Sequence, residues 1–291
     1  MAEPLPICYL NGAYLPIEDA RISPLDRGFL YADGAYEVMP VYGGRPFRLV
    51  AHCARLTRSL AELRMEDPLS AAEWRALFAE LIDRNGGGDQ YIYWQVTLGA
   101  ERGRNHAPLP QVSRTVFAFC APFPAVNPAV LERGLACITA ADTRWSRCDI
   151  KSVALLANVL LRQLAVDAGA GETILLRDGE LTEASASAVH VVIGGELRTP
   201  QQSARLLPGT TRSVMEELAQ RLGLAHRATR VSEAELRAAE EIWLSAATRE
   251  VAPVTTLDGR PVGDGKPGPI WRKLYDEFQR YKRELAGQPW V

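Results

Sequence analysis

Trp145-Ser146-Arg147-Cys148-Asp149-Ile150-Lys151-Ser152, an octapeptide in the middle of the chain, contains its most unusual residue. Lys151 is the only lysine in the first 265 residues, and the whole chain has 29 arginines but only 4 lysines. A guanidinium group stays protonated, whereas a lysine amine shielded from water can lose its proton and form a Schiff base with a carbonyl. Most lysines are solvated surface charges. A lysine retained here, in an arginine-rich chain, nevertheless predicts a catalytic amine.

The residues after Lys151 form an apolar segment from Val153 to Leu161. This composition predicts a mostly buried helix, with Ser152 as its N-cap and Gly169 closing its end. These surroundings favour a catalytic amine over a surface charge.

The composition of the chain limits the kinds of partner and site that can be expected. A hydrophobic content of 47%, a charged content of 23% and a net charge of -2 are ordinary for a globular enzyme and give no electrostatic reason to expect nucleic acid or an anionic membrane as partner. The five cysteines are scattered without a Cys-x-x-Cys pair, which favours free thiols in a reducing cytoplasm over a disulfide framework or a metal site. An export signal and an apolar run long enough to span a membrane are also missing from the sequence.

The chain is long enough for two domains, and its prolines indicate where they meet. Residues 121–128 contain three prolines, which is typical of a linker. We therefore predict an N-terminal α/β domain over residues 1–120, a linker over residues 121–133, and a C-terminal domain over residues 134–291 that carries Lys151.

Local signals within these domains predict hairpins and helix starts. Two hairpin turns and two capping boxes are expected at Asn11-Gly12, Asp178-Gly179, Ser70 with Glu73, and Ser232 with Glu235.

Pyridoxal phosphate needs a lysine for its aldehyde, an anion site for its phosphate and an acid beside its pyridine nitrogen. Gly209-Thr210-Thr211 precedes a predicted helix, whose N-terminus would favour an anion, although the same residues also fit an ordinary threonine cap. Glu183 lies among small residues that leave room beside it, although a surface glutamate at a strand end is the commoner case. Arg55 could add a charged donor to the phosphate.

Four groups of residues together resemble the fold-type IV pyridoxal-phosphate enzymes, in the same order and spacing over essentially the whole chain. They are residues 145–152, Leu181-Thr182-Glu183 with its Ser/Ala run, Leu207-Pro208-Gly209-Thr210-Thr211-Arg212, and residues 26–38. That group includes D-amino-acid transaminases, branched-chain L-amino-acid transaminases and aminodeoxychorismate lyases. The resemblance implies a two-domain α/β fold of the α+β type, a homodimer, and a cofactor between the domains.

The resemblance also implies roles for the individual residues. Lys151 would form the Schiff base and carry the proton, Glu183 would contact the pyridine nitrogen, and Leu207 would pack against the cofactor ring. The phosphate would be held by Arg55, Gly209, Thr210 and Thr211.

One position departs from the family pattern. Where Ala247 stands, the family usually has a hydroxyl residue that binds the phosphate, so only the backbone of Ala247 or the neighbouring Thr248 could serve. Arg249 is also unexpected. The cofactor would then be bound less tightly than usual.

Arg104-Asn105-His106 makes the chain most similar to the D-amino-acid transaminases. In that subgroup an Arg-x-His loop reaches into the partner subunit's site and binds the substrate carboxylate, together with the tyrosine that corresponds to Tyr36. Val38 is expected beside the substrate as well. The implied reaction moves the amino group of a D-amino acid such as D-alanine to 2-oxoglutarate, giving pyruvate and D-glutamate. The alternatives are a branched-chain L-transaminase, an aminodeoxychorismate lyase, an (R)-amine transaminase, or a non-catalytic binding module of the same fold.

Overall fold

The computed structural model describes residues 3–109, 112–125 and 127–286, which pack as two units. The first unit comprises the described residues up to Pro124 together with Ile150–Ala154 and the last two described residues. The second comprises the described residues of 125–149 and 155–284. Val126 in the predicted linker lies outside the described residues, as do residues 1–2, 110–111 and 287–291 of the two predicted domains.

The first unit is built on a six-stranded antiparallel sheet with three α-helices. The strands are β1 (Ile7–Leu10), β2 (Ala13–Pro16), β3 (Gly34–Tyr42), β4 (Arg45–Pro46), β5 (Gln90–Thr97) and β6 (Thr115–Pro122), in the order β2-β1-β6-β5-β3-β4. The helices are α1 (Arg27–Tyr31), α2 (Leu49–Glu62) and α3 (Ala71–Arg84), and a 3-10 turn covers Ile17–Asp19. The hairpin predicted at Asn11-Gly12 is confirmed, because β1 and β2 flank it.

Large aromatic residues fill the core of this unit. Trp74 and Phe78 of α3 pack against Trp94 of β5, with the Phe78 and Trp94 ring centroids 4.7 Å apart. The predicted capping box that begins α3 is confirmed, since Ser70 accepts from the Glu73 amide and the Glu73 side chain accepts from the Ser70 amide. The sheet is therefore fixed on the side that α3 covers.

The second unit is built on a nine-stranded mixed sheet with five α-helices. The strands are β7 (Leu135–Ala141), β8 (Glu172–Arg177), β9 (Glu180–Ala184), β10 (Ala188–Ile193), β11 (Glu196–Pro200), β12 (His226–Thr229), β13 (Glu241–Ala246), β14 (Glu250–Leu257) and β15 (Arg260–Pro261). Their order is β12-β11-β10-β13-β14-β7-β8-β9, with β15 paired to β14. The helices are α4 (Pro128–Arg133), α5 (Leu156–Asp167), α6 (Thr210–Arg221), α7 (Glu233–Arg237) and α8 (Pro269–Ala286). The second predicted hairpin and capping box, at Asp178-Gly179 and at Ser232 with Glu235, are confirmed.

The prediction of a mostly buried helix that starts at Ser152 was wrong in two respects. The helix α5 begins only at Leu156, because Ser152 is taken into a β-bridge with Ala35. Leu156, Val159 and Leu160 are 72%, 60% and 60% exposed. Only its end agrees with the prediction, since Gly169 follows the helix in a left-handed conformation with φ +64°.

Lys151 was expected in the C-terminal domain, whereas its segment packs with the first unit. The Tyr36 amide donates to the Lys151 carbonyl over 3.0 Å, and the Val153 amide donates to the Gly34 carbonyl over 3.0 Å. These bonds attach the segment to β3, so the lysine is carried by the first sheet although it lies after the predicted linker. The predicted domain boundaries themselves stay a prediction.

Candidate active site

Lys151 lies beside Tyr36 in the first unit. Its backbone is fixed by the bond to Tyr36 and by a bond of 3.2 Å from its own amide to Oγ of Ser59, a fully buried residue. Its side-chain Nζ lies 4.2 Å from the centroid of the Tyr36 ring. The structure therefore brings together the lysine predicted to be catalytic and the tyrosine predicted to contact substrate.

Alternation along β3 decides which side chains accompany Tyr36. Tyr36 and Val38 are half-buried on one face of the strand, whereas Glu37 and Met39 are fully buried on the other. The Tyr36 ring stacks on Tyr93 of β5 at 5.5 Å. Both residues predicted beside the substrate thus share one face of the sheet.

On the opposite face of β3, Glu37 forms a buried ion pair with Arg55 of α2. Nε and Nη2 of Arg55 each donate to the Glu37 carboxylate over 2.7 Å. His52, one helical turn earlier on α2, contacts the same carboxylate through Nδ1 at 2.8 Å. Burial would raise the pKa of Glu37, but Arg55 and His52 outweigh that effect and lower it to about 2. Burial lowers the pKa of His52, so a neutral imidazole donates to the ionised Glu37.

In the second unit, Glu183 is held from two sides. Arg144 Nη1 donates to its Oε2 over 2.6 Å, and the Leu207 amide donates to its Oε1 over 3.0 Å. Arg144 is in turn fixed by Asp142, which accepts from Nε and Nη2 at 2.9 Å each. Burial raises the pKa of Glu183, and the charge of Arg144 opposes that rise. The predicted acid is thus buried and fixed in one orientation.

The Gly209-Thr210-Thr211 sequence forms the start of α6, as predicted. Gly209 is the N-cap, and no side chain among the described residues caps the helix through a hydrogen bond. The first amides of a helix lack partners within the helix and form the positive end of its dipole, which suits an anion. Leu207, two residues before Gly209, joins this helix start to Glu183.

Ala247 and Thr248 lie in the turn between β13 and β14. Arg249, which the family pattern did not explain, donates from Nη2 to the buried Glu172 over 3.2 Å. Ser185 Oγ donates to the same carboxylate. Arg249 therefore ties this turn to the residues that follow Glu183.

Arg104 and His106 lie in an exposed loop of the first unit and converge on one ring. The Arg104 guanidinium carbon is 5.3 Å from the centroid of Tyr31, and the His106 ring centroid is 5.4 Å from it. The Arg27 guanidinium carbon lies 4.6 Å from the same centroid. The two residues predicted to bind a carboxylate are thus neighbours.

None of Arg144, Glu37, His52 and Arg27 was predicted as a site residue, although Glu37 and Arg27 lie in the segment 26–38. Glu37 has a weak signal because it alternates with apolar residues in a strand, and His52 has one because it stands three residues before Arg55 on a helix. Only the pairing of distant segments turns these signals into buried ion pairs.

Within the described residues, no group of His, Cys, Asp and Glu side chains is suited to a metal ion, and no helix is long and apolar enough to cross a membrane. All five cysteines are free.

A family model described as "Amino-transferase class IV" matches residues 34–257. D-alanine aminotransferase of Bacillus licheniformis is 37% identical over 270 residues, which are 92% of this chain and 94% of that protein. D-alanine aminotransferase of Listeria monocytogenes serotype 4b is 36% identical over 280 residues, covering 96% and 97%.

Solved structures of branched-chain amino acid aminotransferases share the fold. The Escherichia coli enzyme superposes with a TM-score of 0.90 at 25% identity and covers 95% of this chain and 94% of its own. The T.th. enzyme with pyridoxamine 5'-phosphate superposes with a TM-score of 0.89 at 27% identity, covering 96% and 94%.

Proposed function

The chain belongs to the class IV aminotransferases, which depend on pyridoxal phosphate, and we propose from this premise that it transfers the amino group of D-amino acids such as D-alanine to 2-oxoglutarate. The products would be pyruvate and D-glutamate. The observation that carries the proposal is the convergence of Arg104 and His106 on Tyr31, in a chain whose curated relatives include D-alanine aminotransferases.

The donor set of the two units fits the cofactor. The first unit supplies an amine at Lys151 and a buried guanidinium at Arg55. The second supplies the buried carboxylate of Glu183 and the uncapped start of α6. We assign the phosphate to Arg55, Gly209, Thr210 and Thr211, with the backbone of Ala247 or Thr248 as a further donor.

Pyridoxal phosphate, when bound, supplies an electron sink for the bonds at the substrate Cα. Lys151 Nζ would take up the proton from the substrate Cα and release it again, because one amine can serve as both base and acid. Glu183 would face the pyridine nitrogen, and its bonds to Arg144 and to the Leu207 amide keep its carboxylate in place. The Leu207 side chain would contact the cofactor ring.

Arg104 and His106 of one subunit would bind the substrate carboxylate in the site of the other subunit, where the Tyr36 hydroxyl would be a third donor and Val38 would lie beside the substrate side chain. Enantiomers share every group, so discrimination requires that the carboxylate and the Cα hydrogen be fixed at once. With the carboxylate held, the hydrogen of only one enantiomer points towards Lys151.

The protein is also proposed to be a homodimer. Leu156, Val159 and Leu160 are spaced as one face of α5, and each is at least 60% exposed. A contiguous apolar face of this kind marks a surface that another protein covers, and a second copy of the chain is the partner that the family resemblance implies. We place the protein in the cytoplasm, where its five free cysteines would stay reduced.

Half-reactions of the cofactor-loaded protein test the substrate class. The loss of cofactor absorbance is followed after mixing with D-alanine, L-leucine or (R)-1-phenylethylamine. D-alanine should react fastest. Replacing both Arg104 and His106 with alanine should sharply slow the reaction with D-alanine. The reaction with the amine, which lacks a carboxylate, should be affected much less. Faster reaction with L-leucine would instead establish the branched-chain activity that the structural neighbours carry.

A further inference from the structure

Arg27, at the start of α1, lies under the loop that presents Arg104 and His106. We infer that Arg27 is a positioning residue, which holds the backbone of this loop so that both side chains can meet the substrate carboxylate. The inference deepens the proposed function and rests on it. It assigns a role to a buried arginine outside the residues that touch cofactor or substrate.

The guanidinium of Arg27 binds two consecutive carbonyl groups of the loop. Nη1 donates to the carbonyl of Asn105 over 2.6 Å, and Nη2 donates to the carbonyl of His106 over 3.0 Å. These two peptide units follow Arg104 directly and include His106. Arg27 therefore fixes the loop at the residues whose side chains are proposed to act.

Two carboxylates fix the guanidinium itself. Nε donates to Asp33 over 2.8 Å, and Nη1 also donates to Glu101 over 3.2 Å. The other oxygen of Glu101 accepts from the Leu109 amide over 2.7 Å. Glu101 thus connects Arg27 to Leu109 at the far end of the same loop. Arg27 and Glu101 together hold the backbone of the segment 101–109.

The base of this arrangement is rigid. Arg27 is 4% exposed, and its amide donates to the Gly99 carbonyl over 2.9 Å. Asp26 caps α1 by accepting from the Gly28 amide, and it accepts a further bond of 2.6 Å from Thr115. The loop side chains at residues 102–106 are exposed, so their order comes from the backbone contacts below them.

Only an arginine can make this set of contacts. Its planar group presents five N–H donors in fixed directions, whereas the lysine ammonium is a compact charge with three. In addition, the Arg27 guanidinium carbon lies 4.6 Å from the centroid of Tyr31, the ring on which Arg104 and His106 converge. Replacing Arg27 with Lys would keep the charge but lose the two planar N–H groups that donate to the carbonyls of Asn105 and His106.

Arg27→Lys and Arg27→Gln test the inference, and Glu101→Gln provides a milder variant because its amide oxygen can still accept from Leu109. Hydrogen exchange of the peptide 101–109 in the cofactor-free protein reports loop order independently of activity. We expect faster exchange in all three variants. We also expect KM for D-alanine to rise about tenfold or more in the Arg27 variants, as for the loss of charge-assisted bonds, with a smaller change in kcat.

Arg102→Gln is the matched control, since it makes the same chemical change on the exposed side of the loop and should leave exchange unchanged. Circular dichroism establishes that each variant is folded, and Glu101→Gln supplies the test if the Arg27 variants are not. Native loop exchange and native KM in a folded Arg27 or Glu101 variant would overturn the inference alone. If the Arg104 and His106 double alanine variant keeps its KM for D-alanine, the carboxylate assignment fails and the inference fails with it.

Discussion

The Arg144 guanidinium donates to the Glu183 carboxylate over 2.6 Å, and both side chains are more than nine-tenths buried. Burial favours the neutral acid and raises the pKa of Glu183, while the positive charge favours the carboxylate. The two effects act on the same carboxyl group. Arg144 favours the ionised carboxylate, which is the form that would stabilise a protonated pyridine nitrogen.

Glu183→Gln should leave the protein folded and reduce turnover by roughly 10²- to 10⁴-fold, the range for a positioned acid–base group. The amide can still accept from Leu207 but cannot stabilise a protonated ring nitrogen. Steady-state kinetics with D-alanine measure the loss. Glu180→Gln makes the same change at the other end of β9 and should behave as wild type; equal kinetics in both variants would mean that another group contacts the nitrogen.

Lys151→Ala should abolish transamination, because the single amine both anchors the cofactor and carries the proton. Lys151→Arg is the matched control for charge, and it should be equally inactive because a guanidinium does not form the Schiff base. Absorbance spectra and single-turnover rates measure both effects. Turnover near the wild-type rate in either variant would remove Lys151 from the centre of the mechanism.

Glu37 should make stability depend on pH. Its pKa falls from 4.5 to about 2 in the folded protein, so its contribution to the free energy of unfolding is present above pH 4.5 and is lost as the pH falls towards 2. The shift corresponds to about 3 kcal/mol. Glu37→Gln should therefore be less stable than wild type near pH 6, with a difference that narrows towards pH 3.

Thermal unfolding of the cofactor-free protein at a series of pH values measures that difference. Glu132→Gln, a change at an exposed position of α4, serves as the control and should show a smaller dependence. A constant difference between wild type and Glu37→Gln across this range would contradict the assigned ionisation of Glu37.

Ala247→Thr should tighten cofactor binding by up to ~1.5–3 kcal/mol, the value of one hydrogen bond to a charged acceptor. Ala247→Val has nearly the same shape without the hydroxyl and should give no gain. Equilibrium dialysis with pyridoxal phosphate measures the cofactor affinity of both variants. It separates the contribution of the hydroxyl group from that of the added side-chain volume. Equal affinity of the Thr and Val variants would mean that the other phosphate donors are already sufficient.

The local signals in the sequence were sufficient for two hairpin turns and two capping boxes. Asn11-Gly12 and the Ser70 capping box each depend on residues within a few positions of one another, and both are confirmed. The start of α5 could not be predicted in this way. Ser152 has the chemistry of a helix cap, but the distant Ala35 takes it into a β-bridge.

The candidate site also contains some residues that the sequence predicts and others that only the fold reveals. Lys151 stands out from composition alone, and the family motifs lead to Glu183 and to the start of α6. Arg144 was not predicted, because an isolated arginine in an arginine-rich chain carries no signal, and Arg27 lay in a motif of the family without a role of its own. Their importance arises only when folding brings them to carboxylates 39 and 74 positions away.

The attachment of Lys151 to β3 separates a fixed backbone from a mobile side chain. Three hydrogen bonds to distant parts of the chain hold residues 151–153, while the amine stands at the end of four carbon–carbon bonds that can rotate. Rotations of this kind occur in picoseconds to nanoseconds, whereas backbone segments rearrange in microseconds or longer. In the proposed mechanism, Lys151 therefore needs only this fast class of side-chain motion to reach both carbon atoms between which the proton moves, with no rearrangement of its own backbone.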